Sequence, residues 1–176
     1  MEHLEKVLGS ARREAEQAEV FSASARATMI QFEASELKQV QTKESSSTAL
    51  RIFKEGRIGF ATASGGGDVE ALVDMAVETS QFGGPASFQF PSCQDYSEVC
   101  TFSPEPEKMA METMVEIGKE LIAKVKGHTP DIMCYVKITK WTSSVSLINS
   151  KGDEGGYDKS FFGLSLEGIL VRDTDM

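Results

Sequence analysis

The chain has 176 residues, of which 40% are hydrophobic and 26% charged, and a formal net charge of −9. That supplies enough apolar side chain for one domain with a sizeable core. The acidity argues against direct, nonspecific nucleic-acid binding, which depends on Lys and Arg neutralising phosphates.

Cys93, Cys100 and Cys134 are odd in number and irregularly spaced, so they outline no disulfide framework and suit a reducing compartment. Met1–Ala25 lacks the apolar core of a signal peptide, and no apolar run approaches the length of a membrane span. The expected location is cytoplasmic, with no membrane partner.

Glu2–Gln17 places Leu4, Val7, Leu8, Ala11 and Ala15 at spacings of three and four, which predicts an amphipathic helix. Glu19–Ala25 turns strand-like through Val20 and Phe21. Thr28–Ser64 then reads as consecutive antiparallel strands. Ile30 and Phe32 alternate with polar neighbours, Leu37 and Val40 sit in a polar run, and Leu50 and Ile52 alternate again. Lys43–Ser47 reads as a polar connection. Glu55-Gly56 makes a two-residue hairpin turn into Arg57–Phe60, with Gly56 supplying the positive φ.

Ser64–Asp68 is a glycine-rich loop ahead of a helix. Such loops can cradle a phosphate, but this one lacks the Lys-Ser/Thr of a P-loop and the spacing of a dinucleotide fingerprint. Asp68 stands where it would cap the helix and oppose an anion, so the stretch reads as linker plus N-cap. Val69–Phe82 is the helix, burying Val69, Leu72, Val73, Ala76 and Val77, and Gly83-Gly84-Pro85 ends it. Pro85–Pro106 holds four of the five prolines and reads as an extended segment pinned by Phe88, Phe90, Tyr96 and Phe102. Its length implies either a short strand within it or a place at an interface.

Ser103 as N-cap, Pro104 at the first helical position, and Glu105 and Glu107 at the positive end of the dipole start the longest helix, running to about Lys126. Met114, Ile117, Leu121 and Val125 form its stripe, widened by Ala110, Met111, Val115 and Ile122, with the methionines as core filler. Gly127 caps it and Pro130 forbids continuation. Ile132–Ile138 and Val145–Ile148 are strands, Asn149–Gly152 is a turn, and Ser160–Arg172 is a strand interrupted by Gly163 and Gly168. The sum is an α+β fold: a curved antiparallel sheet with two principal helices packed on one face, plus a short N-terminal helix, in a single domain over 1–176.

Chemistry is sparse. His3 and His128 have no partner at ligand spacing, there is no HExxH, HxH or CxxC, and both histidines read as solvated surface residues. Glu33, Glu36 and Glu44 cluster in the strand region, but alternation points them to solvent rather than into an acid–base pair. Trp141, Tyr135 and Lys140 suggest a stacking platform, which the negative charge disfavours for phosphate ligands. No catalytic, cofactor-binding or metal-ligating residue is assigned in this chain.

One resemblance does carry a functional reading. Phe32-Glu33, Glu44-Ser45, Leu50-Arg51-Ile52 and Gly56-Arg57-Ile58-Gly59-Phe60-Ala61 occur in the order and spacing of the opening of the TldD/PmbA family, also called modulators of DNA gyrase. The helix Asp68–Phe82 followed by Gly83 fits as well, as does Leu147-Ile148-Asn149-Ser150-Lys151-Gly152 after the long helix. The resemblance covers essentially the whole chain.

It implies the N-terminal domain of a longer metalloprotease-like protein whose C-terminal domain is absent here. In the TldD type of that family, zinc sits on an HExxxH motif and a later Cys. Both lie beyond the corresponding end of this chain, so zinc is expected only in a full-length TldD-type parent and no cofactor in this chain. PmbA-type subunits lack the histidine motif. The implied partners are the chain itself or a related family subunit, and a peptide or small protein as substrate. The implied role is scaffold, peptide-chamber wall and subunit interface. A standalone adaptor or binding module is the alternative, and a small hydrolase built on the carboxylates ranks last.

Overall fold

The computed structural model describes residues 1–92 and 95–171. In chain order the elements are α1 (Glu2–Glu14), β1 (Gln17–Glu33), β2 (Glu36–Lys54), β3 (Arg57–Ser64), α2 (Val69–Ser80), α3 (Glu105–Lys108), α4 (Met111–His128), β4 (Met133–Asn149) and β5 (Glu154–Ile169). The strands make one antiparallel sheet in the order β3-β2-β1-β4-β5, so the class is α+β as expected.

Four of the strands are far longer than the alternating runs suggested, at 16 to 19 residues each. Lys43–Ser47 is therefore no connection: it lies inside β2. Ile132–Ile138 and Val145–Ile148 are likewise one strand, β4. The last strand begins at Glu154, ahead of the expected Ser160, while Arg172 falls outside the described residues.

Tight turns join the first three strands. β2 and β3 pair from Lys54↔Arg57 to Ser47↔Ser64, closing on Glu55-Gly56. Both turn residues have positive φ (51° and 70°), the signature of a type I′ hairpin, so the role read for Gly56 holds. The β1–β2 turn, Ala34-Ser35, has the same signs (48° and 70°) with no glycine at all. An L-residue in that region costs about 1–2 kcal/mol. Offsetting bonds come from β4: Ser35 N donates to Cys134 O (2.8 Å), and Cys134 N donates to Ser35 Oγ (3.1 Å).

The residues group into two compact units, 1–25 with 45–100 and 143–158, and 26–44 with 101–142 and 159–176. Each has its own core. In the first, Leu4, Val7, Leu8 and Ala11 of α1 and Leu72, Val73 and Ala76 of α2 pack with Ala18, Val20, Leu50, Ile52, Ala61 and Ile148 from the strands. α1 stops at Glu14, short of Gln17, because Ala15 already has extended backbone. α2 ends at Ser80, two residues before the expected Phe82, which is 85% exposed. Asp68 caps α2 as read, its Oδ1 accepting from Glu70 N at 2.9 Å.

Gly59 lets α2 approach β3, since a Cβ there would lie 2.1 Å from Ala76 O. The 85–100 stretch is held here too, and no strand occurs among its described residues. Phe90 stacks on Phe53 (4.4 Å between centroids), Phe88 meets Phe53 edge-on, and the Arg51 guanidinium lies over both Phe88 and Phe90 while its Nη2 donates to Glu19. Tyr96 donates to Asp153 Oδ2 at 2.7 Å.

In the second unit, Met114 and Ile122 of α4 pack with Ile30, Phe32, Cys134, Val136 and Ile138. Gly118 is buried in mid-helix directly against the Phe32 ring. Phe102, expected to pin its segment, remains 39% exposed. The helix expected from Ser103 is broken. α3 is a single turn, Met109 is extended (ψ 123°), and α4 starts at Met111 and continues through Gly127 to His128. Ser103 Oγ reaches Glu105 N only at 3.4 Å.

Candidate functional site

The break between α3 and α4 forms one wall of a cleft of about 320 Å³ within the second unit. Pro106, Glu107, Met109, Ala110, Met111 and Glu112 line that wall. Facing them are Arg26 and Thr28 of β1, Thr42 of β2, and Lys140, Trp141 and Thr142 of β4.

Lys140 creates the geometry. Its Nζ donates to Met109 O (2.6 Å) and Glu107 O (3.0 Å), carbonyls that a continuing helix would have satisfied internally. The ammonium thus caps the C-terminal end of α3 and holds the strap open. On the opposite wall the hydroxyls of Thr28 and Thr42 bond each other at 3.0 Å, and Arg26 pairs with Glu44 at 3.2 Å. Two cations, Arg26 and Lys140, stand against two carboxylates, Glu107 and Glu112. Counted over the lining side chains alone, the charges balance two against two. Two methionines supply adaptable apolar contact.

The residues singled out from sequence do not converge on this cleft. Glu33 accepts from Gln31 Nε2 (2.8 Å), Glu36 lies 4.0 Å from Lys38 Nζ, and Glu44 holds Arg26, so each carboxylate has its own partner. His3 is half-buried rather than solvated, and His128 is exposed with Nδ1 2.9 Å from Thr129 Oγ1. Neither lines the cleft. Cys134 is buried in the core, Cys100 is exposed, and Cys93 lies outside the described residues. Among the described residues no group of three or more His, Cys, Asp or Glu is placed to hold a metal. Trp141 stacks on Phe161 (5.7 Å, 19°) while Lys140 turns to the strap. Tyr135 is six positions back along β4, roughly 20 Å away at the rise of a strand, so the three make no platform.

Sequence reasoning passed over two polar groups that matter structurally. Asn149 and Asp153 are almost fully buried in the β4–β5 turn. Asn149 Oδ1 accepts from Lys151 N (2.8 Å) and Asp153 N (3.2 Å), and its Nδ2 donates to Pro91 O (3.0 Å). The turn signal at Asn149–Gly152 was visible, but the distant acceptor at Pro91 was not. Among the described residues no helix is long and apolar enough to cross a membrane.

The fold is of the α+β class, and its second unit holds a cleft beneath the α3–α4 strap. Residues 18–80 match the family model described as PmbA/TldA metallopeptidase domain 1. Over that stretch the sequence is similar to the first domain of the PmbA/TldD family. No curated protein matches the sequence.

Solved structures share the fold across nearly all of it. TldE from Thermococcus kodakarensis superposes with a TM-score of 0.87 at 16% identity over 99% of this chain and 40% of its own. A protein from Bacteroides thetaiotaomicron described as a candidate modulator of DNA gyrase gives 0.85 at 12%, over 99% of this chain and 42% of its own. One from Thermotoga maritima with a similar description gives 0.80 at 13%, over 95% and 42%. At these identities the likeness is one of fold, and this chain spans about two fifths of each of them.

Proposed function

We propose that this chain serves as the N-terminal domain of a TldD/PmbA-like metalloprotease of the kind named modulators of DNA gyrase. In this role it supplies scaffold, part of the wall of a peptide chamber, and a subunit interface, while the hydrolytic site belongs to another domain. The observation that carries the reading is the match of residues 18–80 to a metallopeptidase first domain. The balanced, partly apolar cleft beneath the α3–α4 strap is compatible with a neutral stretch of peptide. The proposed setting is cytoplasmic, the partners are a second copy or a related subunit and a peptide or small protein, and nucleic acid is not contacted directly.

The test is direct. The purified 176-residue chain, loaded with zinc and offered a mixed peptide library, is expected to retain substoichiometric metal after desalting and to cleave nothing. Stoichiometric zinc together with peptide hydrolysis would overturn the assignment of catalysis to another domain.

A further inference from the structure

The sheet treats its two sides of β2 unequally. β3 covers β2 only from Ser47 to Lys54, and Gly65 N then occupies Ser46 O at 2.8 Å. From Ser45 back to Glu36 no strand of the described residues lies on that side, because β2's only other neighbour in the sheet is β1. The outer edge of β3, by contrast, is partly covered. On β3, Phe60 N donates to Thr79 Oγ1 (3.0 Å), Thr79 Oγ1 donates to Phe60 O (2.9 Å), and Ile58 N donates to Gly84 O (2.9 Å). Among the described residues, Glu36–Ser45 has no such cover. Its side chains stand out on both faces, including Leu37 at 44% and Val40 at 46% exposure. An open strand edge of this length is a template for another strand.

The charges on the edge select the partner. From Glu36 to Glu44 the chain reads ELKQVQTKE, with acidic residues at both ends and lysines inside them. In an antiparallel pair related by a two-fold axis, one residue faces its own copy and the rest follow in mirror order. Centring on Lys38 or Lys43 sets lysine against lysine. Centring on Val40 sets Glu36 against Glu44. Centring on Leu37 sets Glu36 opposite Lys38 but overlaps only three edge residues, and centring on Gln39 or Thr42 sets no charges opposite one another. Centring on Gln41 sets Lys38 opposite Glu44 twice, Gln39 opposite Lys43, and Val40 opposite Thr42, over seven residues. Opposite charges directly across a pair of strands stabilise it, and like charges do the reverse.

We infer that this edge is a self-complementary interface, in which Lys38–Glu44 of one copy pairs antiparallel with Lys38–Glu44 of a second, with Gln41 on the two-fold axis. The inference deepens the subunit-interface part of the function proposed above and rests on that reading. Glu44 keeps carboxylate oxygen free for this role, since its side chain is 69% exposed while it holds Arg26.

Sedimentation velocity over a wide concentration range tests it on the full 176-residue chain. The parent is expected to dimerise reversibly. Lys38→Glu is expected to weaken association about tenfold or more, Glu44→Lys to do the same, and the double exchange to recover it to within about threefold. Circular dichroism of each variant reports that the fold is retained. A peptide of sequence Glu36–Ser46 is expected to compete with the dimer. A chain that stays monomeric at hundreds of micromolar overturns the inference, and more so if it binds that peptide, which would make the edge a peptide dock. A dimer indifferent to all three variants also overturns it, but leaves the subunit-interface reading intact at another surface. Neither result bears on the zinc and hydrolysis assay, so the two readings fail separately.

Discussion

Gly59 and Gly9 should respond to alanine in opposite directions. A Cβ at Gly59 would sit 2.1 Å from Ala76 O and 2.9 Å from both Ser80 Cβ and Ile52 Cγ1. Ordinary carbon contacts begin near 3.5 Å, so α2 must retreat by roughly 1 Å from β3. That retreat opens the packing of Leu72, Val73 and Ala76, all buried beneath it. Overpacking of this kind costs about 1–3 kcal/mol, and replacing glycine within a strand returns about 0.5–1. At the middle of these ranges the net loss is about 1.25 kcal/mol, which lowers the melting temperature by roughly 2.5–5 °C in a chain of this size. Gly9 lies inside α1 with nothing within 4 Å of its Cβ position. There alanine removes backbone freedom from the unfolded chain and gains about 0.5–1 kcal/mol. Differential scanning calorimetry of both variants checks the pair. A Gly59→Ala protein that melts at or above the parent would refute the close approach of α2 to β3.

Two smaller perturbations test the local devices. Asp68→Ala removes the acceptor for Glu70 N and is expected to cost about 1 kcal/mol, read by urea denaturation, whereas Asp68→Asn should retain most of it. Lys140→Met leaves Glu107 O and Met109 O without their shared donor, at a cost of about 1–2 kcal/mol after allowance for water reaching the more exposed of them. Amide exchange should quicken across residues 105–112 and stay unchanged in α2, and unchanged exchange in the strap would show that Lys140 does not hold it.

Most of the helices and the sheet's class were legible because periodicity and punctuation agree there. Leu72, Val73 and Ala76 repeat at helical spacing between Asp68 and Gly83, and α2 forms accordingly. What was not legible depends on distant partners. Ala34-Ser35 carries no glycine or asparagine, so nothing local announces a type I′ turn, and it is stabilised by bonds to Cys134 on another strand. Lys43–Ser47 is polar enough to read as loop, yet it runs extended inside β2, exposed on both faces. Ser103-Pro104 with two following glutamates is a sound helix start by every local rule. The helix nevertheless breaks at Met109, where a lysine more than thirty positions away donates to the carbonyls of Glu107 and Met109. The cleft inherits that illegibility, because its wall exists only through the break.

A single sheet with two separate cores also explains why the family signal is concentrated where it is. Residues 18–80 contain β1, β2, β3 and α2, and so carry strand positions of both cores: Val20, Leu50 and Ile52 in one, Ile30 and Phe32 in the other. Changing the register of β1 by one residue would turn Val20, Ile30 and Phe32 to the wrong face together, so both cores constrain the same alternation. The α3–α4 strap and β5 carry no such double constraint. β5 in particular is exposed along much of its length, with Tyr157, Phe161 and Leu164 each more than two fifths accessible. Met109 of the strap and Phe162 of β5 reach the second core only as half-buried neighbours. A family model confined to 18–80 and a fold likeness spanning 95–99% of the chain are therefore compatible: packing restricts sequence in the first, whereas the second needs only the path of the backbone.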